Sequence, residues 1–248
     1  MLLKTTNKSG IYSHIIASKA KNQKLLAILL DPDKIIWETI DFLILKINDS
    51  PATHLFIGGS HVISTNIDAL ILKIKLHCNL PVVLFPGNPS QISGKADAIL
   101  FLSLISGRNP DFLIGHQVDA VPILKKTILE VISTGYILIE SGHQTAVARV
   151  SNTSPLSRND IKHIVHTAQA GEMLGQKLIY LEAGSGANDQ INPEIVMQVS
   201  NNVSIPVIVG GGIINQVGIR EAFNAGADLV VIGTAFENDI NFFNDYQW

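Results

Sequence analysis

The stretch KLIYLEAGSGA, Lys177 to Ala187, carries the sharpest chemical signal in the chain. A run of apolar residues ends in Glu182, and only small residues follow: Ala183, Gly184, Ser185, Gly186 and Ala187. A carboxylate at the end of a buried strand is a candidate base. Glycines just beyond it let backbone N–H groups approach an anion closely, and a helix N-terminus nearby adds a favourable dipole. Two later segments are built the same way: VGGGI, with Gly210, Gly211 and Gly212, and IGTA, with Gly233 and Thr234. The plain alternative is a set of tight turns that need positive φ at glycine. A single such loop would favour that alternative. Three in succession favour a bound phosphate, with Glu182 beside it.

Asp31 closes an earlier apolar run, LLAILLD, and is held by Pro32. A carboxylate with few basic neighbours suits a hard cation such as Mg2+, which keeps its waters and takes one or two protein ligands. Ser60, after Gly58 and Gly59, would add a second oxygen. DPDK is an equally good turn sequence, so the pattern alone leaves Asp31 evenly placed between metal ligand and turn or N-cap residue. Other candidates are weaker. His163 and His166 lie three apart on a helical stretch, but no third ligand stands at a useful spacing, so a surface or packing role is the better reading. Glu140 and His143 in IESGHQ face the same rim, where a loop hydrogen bond is the safer role for Glu140. No lysine ends an interior strand, which leaves Schiff-base chemistry without a nucleophile. Cys78 follows a helical stretch far from these segments and reads as packing.

These residues need a scaffold, and the chain supplies short apolar runs at 25–31, 53–60, 80–87, 98–106, 134–141, 177–185, 205–212 and 228–235. The runs are continuous rather than alternating, as in strands buried on both faces. Helix-like segments separate most of them, which implies parallel strands joined by right-handed crossovers. Eight such units predict an α/β fold, a closed (β/α)8 TIM barrel forming one domain over residues 1–248. A doubly wound open sheet is the rival, weakened because LLDPDK stands where a G-x-G-x-x-G turn would follow the first strand. The third unit is irregular, since NPSQISGKA is too short and polar for a full helix. In a barrel, chemistry sits where strands run into the following loops, and phosphate sites gather after strands seven and eight.

The formal net charge is −3, so no bulk basic field draws the chain to nucleic acid. Lys19, Lys21 and Lys24 read as a solvated edge. The one cysteine excludes an intramolecular disulfide and fits a reducing cytoplasm, where the protein is expected. No apolar run approaches the ~18 residues of a membrane span, and MLLKTTNKSG lacks a signal-peptide core. The high mean hydropathy of +0.29 is what strands buried on both faces produce.

The segments LLDPDK, FIGGS, ADAILFLSLISGRNPDFLIG, YLEAGSGA, PVIVGGGI and VVIGTAF resemble the geranylgeranylglyceryl phosphate synthase family, whose bacterial relatives include heptaprenylglyceryl phosphate synthases. The resemblance runs from about Leu25 to Phe236, with YLEAGSGA and SLISGRNP its most specific parts. It implies a TIM barrel without a regular third helix. It also implies transfer of a prenyl group from an all-trans prenyl diphosphate to the 3-hydroxyl of sn-glycerol 1-phosphate, with Mg2+ required. By the same resemblance, Asp31 and Ser60 match the Mg2+ ligands. Tyr180, Leu181, Glu182, Ala183, Gly184, Ser185, Gly186, Gly211, Gly212, Gly233 and Thr234 match the glycerol-phosphate site, and Glu182 the general base. Leu29 stands where shorter members carry a lysine that contacts glycerol phosphate, so that contact is expected to be missing. His54 stands where relatives often have an acid and receives no role. The stretch 140–158 resembles the longer group, which uses a geranylgeranyl donor, and a homo-oligomer is expected. Two other readings remain at this point. One is a phosphate-binding barrel isomerase or lyase, which lacks a second well-placed acid or base. The other is a non-catalytic barrel that binds a phosphorylated ligand, against which Glu182 and Asp31 argue.

Overall fold

A computed structural model describes residues 10–60, 62, 66–142, 144–244 and 246; His143 lies outside them. Eight parallel strands pair in chain order and the last closes on the first. They are β1 (Leu25–Leu30), β2 (His54–Ile57), β3 (Val82–Leu84), β4 (Ala98–Leu104), β5 (Glu130–Leu138), β6 (Leu178–Glu182), β7 (Val207–Gly210) and β8 (Leu229–Ile232). Around them run α2 (Ile40–Asn48), α3 (Ile67–His77), α4 (His116–Leu124), α5 (Ala146–Ser151), α6 (Ile161–Met173), α7 (Pro193–Ser200), α8 (Gln216–Asn224) and α9 (Thr234–Asn238), with α1 (Ile11–Ala20) preceding the first strand.

Strand side chains alternate between two layers. Leu26, Ile28, Ile179, Leu181 and Ala183 pack outward against the helices. Leu25, Phe56, Leu100, Tyr136, Leu178 and Tyr180 fill the barrel. By the same alternation Asp31, Glu182, Gly210 and Gly233 face inward at the mouth, where the strands end. Cys78 is buried in the outer layer, as packing requires.

Three features depart from a regular repeat. The first is α1, which the apolar pattern does not announce: only Ile15 and Ser18 of it are buried. Ile15 joins the interior layer and closes the floor of the barrel. The helix is held by a carboxylate far away in sequence, since Glu130 accepts the N–H of Ile11 at 2.5 Å and of Tyr12 at 3.1 Å. β5 begins at Glu130 rather than at Thr134, where the apolar run starts, because residues 130–133 already pair with 98–101 of β4. The second is the link from β3 to β4, where a single 3-10 turn, Pro89–Gln91, replaces a helix as the sequence predicts. Asn88 caps it, with Oδ1 accepting the Ser90 N–H at 2.9 Å. The third is α5, a short extra helix between β5 and α6. Thr145 Oγ1 caps it by accepting the Ala148 N–H at 3.3 Å.

Among the described residues no helix is long and apolar enough to cross a membrane. His54, at the floor, is buried with Nδ1 2.8 Å from Thr53 Oγ1. Burial, with His14 nearby, lowers its pKa to about 4, so it is neutral at pH 7 and remote from the mouth.

Candidate active site

Glu182 is the last residue of β6 and is almost completely buried. Its Oε1 accepts the Gly184 N–H at 2.6 Å, so the loop that follows the strand turns back onto its own carboxylate. Burial raises its pKa to about 7; the Gly184 N–H and the hydroxyls of Tyr136 and Tyr180 pull it back down. At neutral pH the group therefore sits near its midpoint, where a general base is most effective.

Two tyrosines connect this carboxylate to the rest of the barrel. Tyr136 pairs with Tyr180 across β5 and β6, as Leu138 pairs with Glu182. The two rings lie 5.3 Å apart, and Phe85 completes the cluster at 5.2 Å from Tyr180 and 5.9 Å from Tyr136. Burial, with Glu182 beside them, pushes both phenols well above their ordinary range, so both keep their protons. The Tyr180 hydroxyl is fully buried beside the Glu182 carboxylate.

The three glycine loops meet as the sequence predicts. Gly211 has φ +80°, and a β-carbon there would strike Glu182 Oε1 and the Gly184 backbone. This glycine therefore does more than leave room for an anion: it allows the β7 loop to press onto the β6 loop. Ser185 Oγ and Thr234 Oγ1 lie 3.3 Å apart, which brings the β6 and β8 loops together. Leu29 packs beside Gly233, so no cation reaches the phosphate loops from that position of β1. The side chains of Leu181 and Ala183 belong to the outer layer, so only their backbone can serve this site.

Asp31 takes the turn role that the sequence offered. Its Oδ1 caps the 3-10 turn Pro32–Lys34 by accepting the Asp33 N–H at 3.0 Å. Its Oδ2 points to the Gly59 backbone on the adjoining loop. The carboxyl is half-buried and its pKa is raised, chiefly by burial. Among the described residues no group of three or more His, Cys, Asp or Glu is placed to hold a metal. One carboxylate and one hydroxyl, Asp31 and Ser60, would suit a Mg2+ that keeps its waters and takes substrate phosphate oxygens, and would not suit a metal that needs an all-protein cage.

The other candidates stay outside. Glu140 is exposed and Oε2 accepts the Ser157 hydroxyl at 3.4 Å, a loop bond. His163 and His166 are exposed on α6.

The sequence reading missed an apolar groove, partly open to solvent, that leaves the mouth on the side of β3, β4 and α4. Leu100, Leu102, Phe112, Ala120 and Val147 line it, and Tyr136 and Phe85 stand at its inner end. Gly59, Ser60 and Gly87 also border it, close to Asp31. Its signal in the sequence is slight: α4 carries apolar residues on both faces, with Ala120 buried and Val118 and Val121 exposed.

The model of the PcrB family matches residues 18–246. Geranylgeranylglyceryl phosphate synthase of Flavobacterium johnsoniae is 67% identical over 234 residues, covering 94% of this chain and 96% of its own. The enzyme of the same name from Thermococcus kodakarensis is 38% identical over 231 residues, 93% of this chain and 91% of its own. The crystal structure of (S)-3-O-geranylgeranylglyceryl phosphate synthase from Thermoplasma acidophilum, in complex with its substrate sn-glycerol-1-phosphate, superposes with a TM-score of 0.88. It is 31% identical and covers 95% of this chain and 94% of its own.

Proposed function

This chain belongs to the PcrB family, and from that premise we propose that it joins sn-glycerol 1-phosphate to an all-trans prenyl diphosphate, geranylgeranyl diphosphate by preference, with release of diphosphate. The observation that carries this reading is the two-sided mouth: a buried carboxylate with a pKa of about 7 among glycine loops, facing an apolar groove across two tyrosines.

The glycine loops after β6, β7 and β8 take the phosphate of the acceptor and aim its 3-hydroxyl at Glu182. Glu182 removes the proton from that hydroxyl. The oxygen forms a bond to C1 of the prenyl chain as the bond from C1 to the diphosphate oxygen breaks, and diphosphate leaves with the electron pair. Tyr180 and Tyr136 keep the carboxylate in place. With Phe85 they also keep bulk water from the junction, because all three rings are buried there. The prenyl chain lies in the groove between β4 and α4. Asp31 and Ser60 would hold Mg2+. When bound, that ion neutralises the diphosphate and makes it a better leaving group.

Incubation with sn-glycerol 1-phosphate, Mg2+ and a ladder of radiolabelled prenyl diphosphates tests the proposal. Label should pass into a solvent-extractable phosphate monoester that resists alkali, most with the C20 donor. Absence of such a product with every donor would overturn it.

A further inference from the structure

The turn that replaces the third helix carries Gln91, a polar residue only 2% exposed, which the reaction as described leaves without a task. Its side-chain amide spans two loops. Nε2 donates to the carbonyl of Gly59 at 2.9 Å, and Oε1 accepts the N–H of Gly87 at 3.2 Å. The orientation of the amide is fixed by these partners, because a carbonyl can only accept and a backbone N–H can only donate. Gly59 lies against Asp31 Oδ2, and Ser60 follows it. Gly87 lies so close that a β-carbon there would strike the carbonyls of Gly59 and Ser60. The two loops therefore touch backbone to backbone, and Gln91 fastens them from behind.

We propose that Gln91 is a positioning residue for the prenyl diphosphate: it sets the backbone of Gly59 and Ser60 against Asp31, so that the loop oxygens and amides meet the diphosphate and its cation. The inference rests on the proposed reaction. A glutamine is the side chain that suits the task. A shorter amide does not span both loops from this turn, an apolar residue leaves a buried carbonyl and a buried N–H without partners, and a carboxylate repels the Gly59 carbonyl. The position also makes the effect selective. Gln91 touches the β2 and β3 loops and not the glycine loops of β6, β7 and β8 that take the acceptor.

The test compares the wild-type enzyme with Gln91→Leu and Gln91→Glu in three measurements: KM for each substrate, calorimetric binding of inorganic diphosphate in the presence of Mg2+, and thermal melting. Loss of one or two buried hydrogen bonds should raise KM for the prenyl diphosphate by about tenfold or more and weaken diphosphate binding in parallel. KM for glycerol phosphate should stay within about twofold, because its loops keep all their contacts. A change in melting alone does not support the role: variants that melt lower but keep both KM values and diphosphate affinity would show that Gln91 is structural only, and so would an equal rise in both KM values. A wild-type enzyme that makes no ether product would overturn the reaction itself, whereas normal wild-type turnover with unchanged variants would overturn only the role of Gln91.

Discussion

The two halves of the barrel mouth recognise by opposite means. On the side of β6, β7 and β8 the chain removes side chains and offers backbone: Gly211 lets the β7 loop press onto Gly184 and Glu182, and Ser185 meets Thr234 of the β8 loop. On the side of β3, β4 and α4 it offers side chains and hides backbone: Leu100, Leu102, Phe112 and Ala120 shape an apolar groove. In the proposed reaction the first half would orient a small anion by directed hydrogen bonds, and the second would hold a long apolar group by area. Tyr136, Tyr180 and Phe85 form the seam, and Asp31 stands at the end where the proposed reaction puts the diphosphate. Such a division lets one barrel bring together two substrates of unlike solubility without either site compromising the other.

If the division holds, damage to one half should leave the other half's substrate untouched. The largest effect is expected at Glu182. Glu182→Gln keeps the shape and the Gly184 contact but cannot take a proton, so kcat should fall by ~10²–10⁴-fold. Binding of glycerol phosphate, followed by calorimetry, should change little. Loss of that binding instead would mean that Glu182 holds the glycerol hydroxyls and is not the base. Next comes Asp31→Asn. A metal-assisted leaving group is worth several kcal/mol, so turnover at ordinary Mg2+ should drop by about 10²-fold and recover in part when Mg2+ is raised. Turnover close to that of the wild type would remove Asp31 from the metal site. The smallest effect is expected in the groove. Ala120→Phe adds bulk where the prenyl chain should run, and overpacking of that kind should raise KM for the C20 donor by about tenfold. KM for glycerol phosphate should not move, and steady-state kinetics with both substrates varied would separate the two.

The two halves also differ in how far the sequence discloses them. The glycine loops are plain in it, because VGGGI and YLEAGSGA join an apolar strand to a change of backbone in a few residues. The strands follow for the same reason: continuous apolar runs gave their number and order, and the polar NPSQISGKA marked the place where no helix forms. The groove is not legible in this way, since Leu100, Phe112 and Ala120 look like any core residues until β4 and α4 are set side by side. Tyr136 escapes for a similar reason. Its importance comes from pairing opposite Tyr180 across two strands, a register the linear pattern does not contain. Gln91 and Glu130 are further cases. Each is a polar residue whose partner lies 32 or 119 positions away, and local propensity cannot see such a bond.

The most direct test of the account concerns the proton. A carboxyl raised to about 7 is ionised above that pH and protonated below it, and only the ionised form can act as a base. For the wild-type enzyme, kcat/KM for glycerol phosphate should therefore rise with pH through about 7 and level off above it. The phosphate of the substrate contributes its own limb near pH ~6. In Glu182→Gln the limb near 7 should disappear and only the substrate's limb remain, at a much lower rate. An unchanged limb near 7 in the variant would contradict the account, because the titrating base would then be some other group.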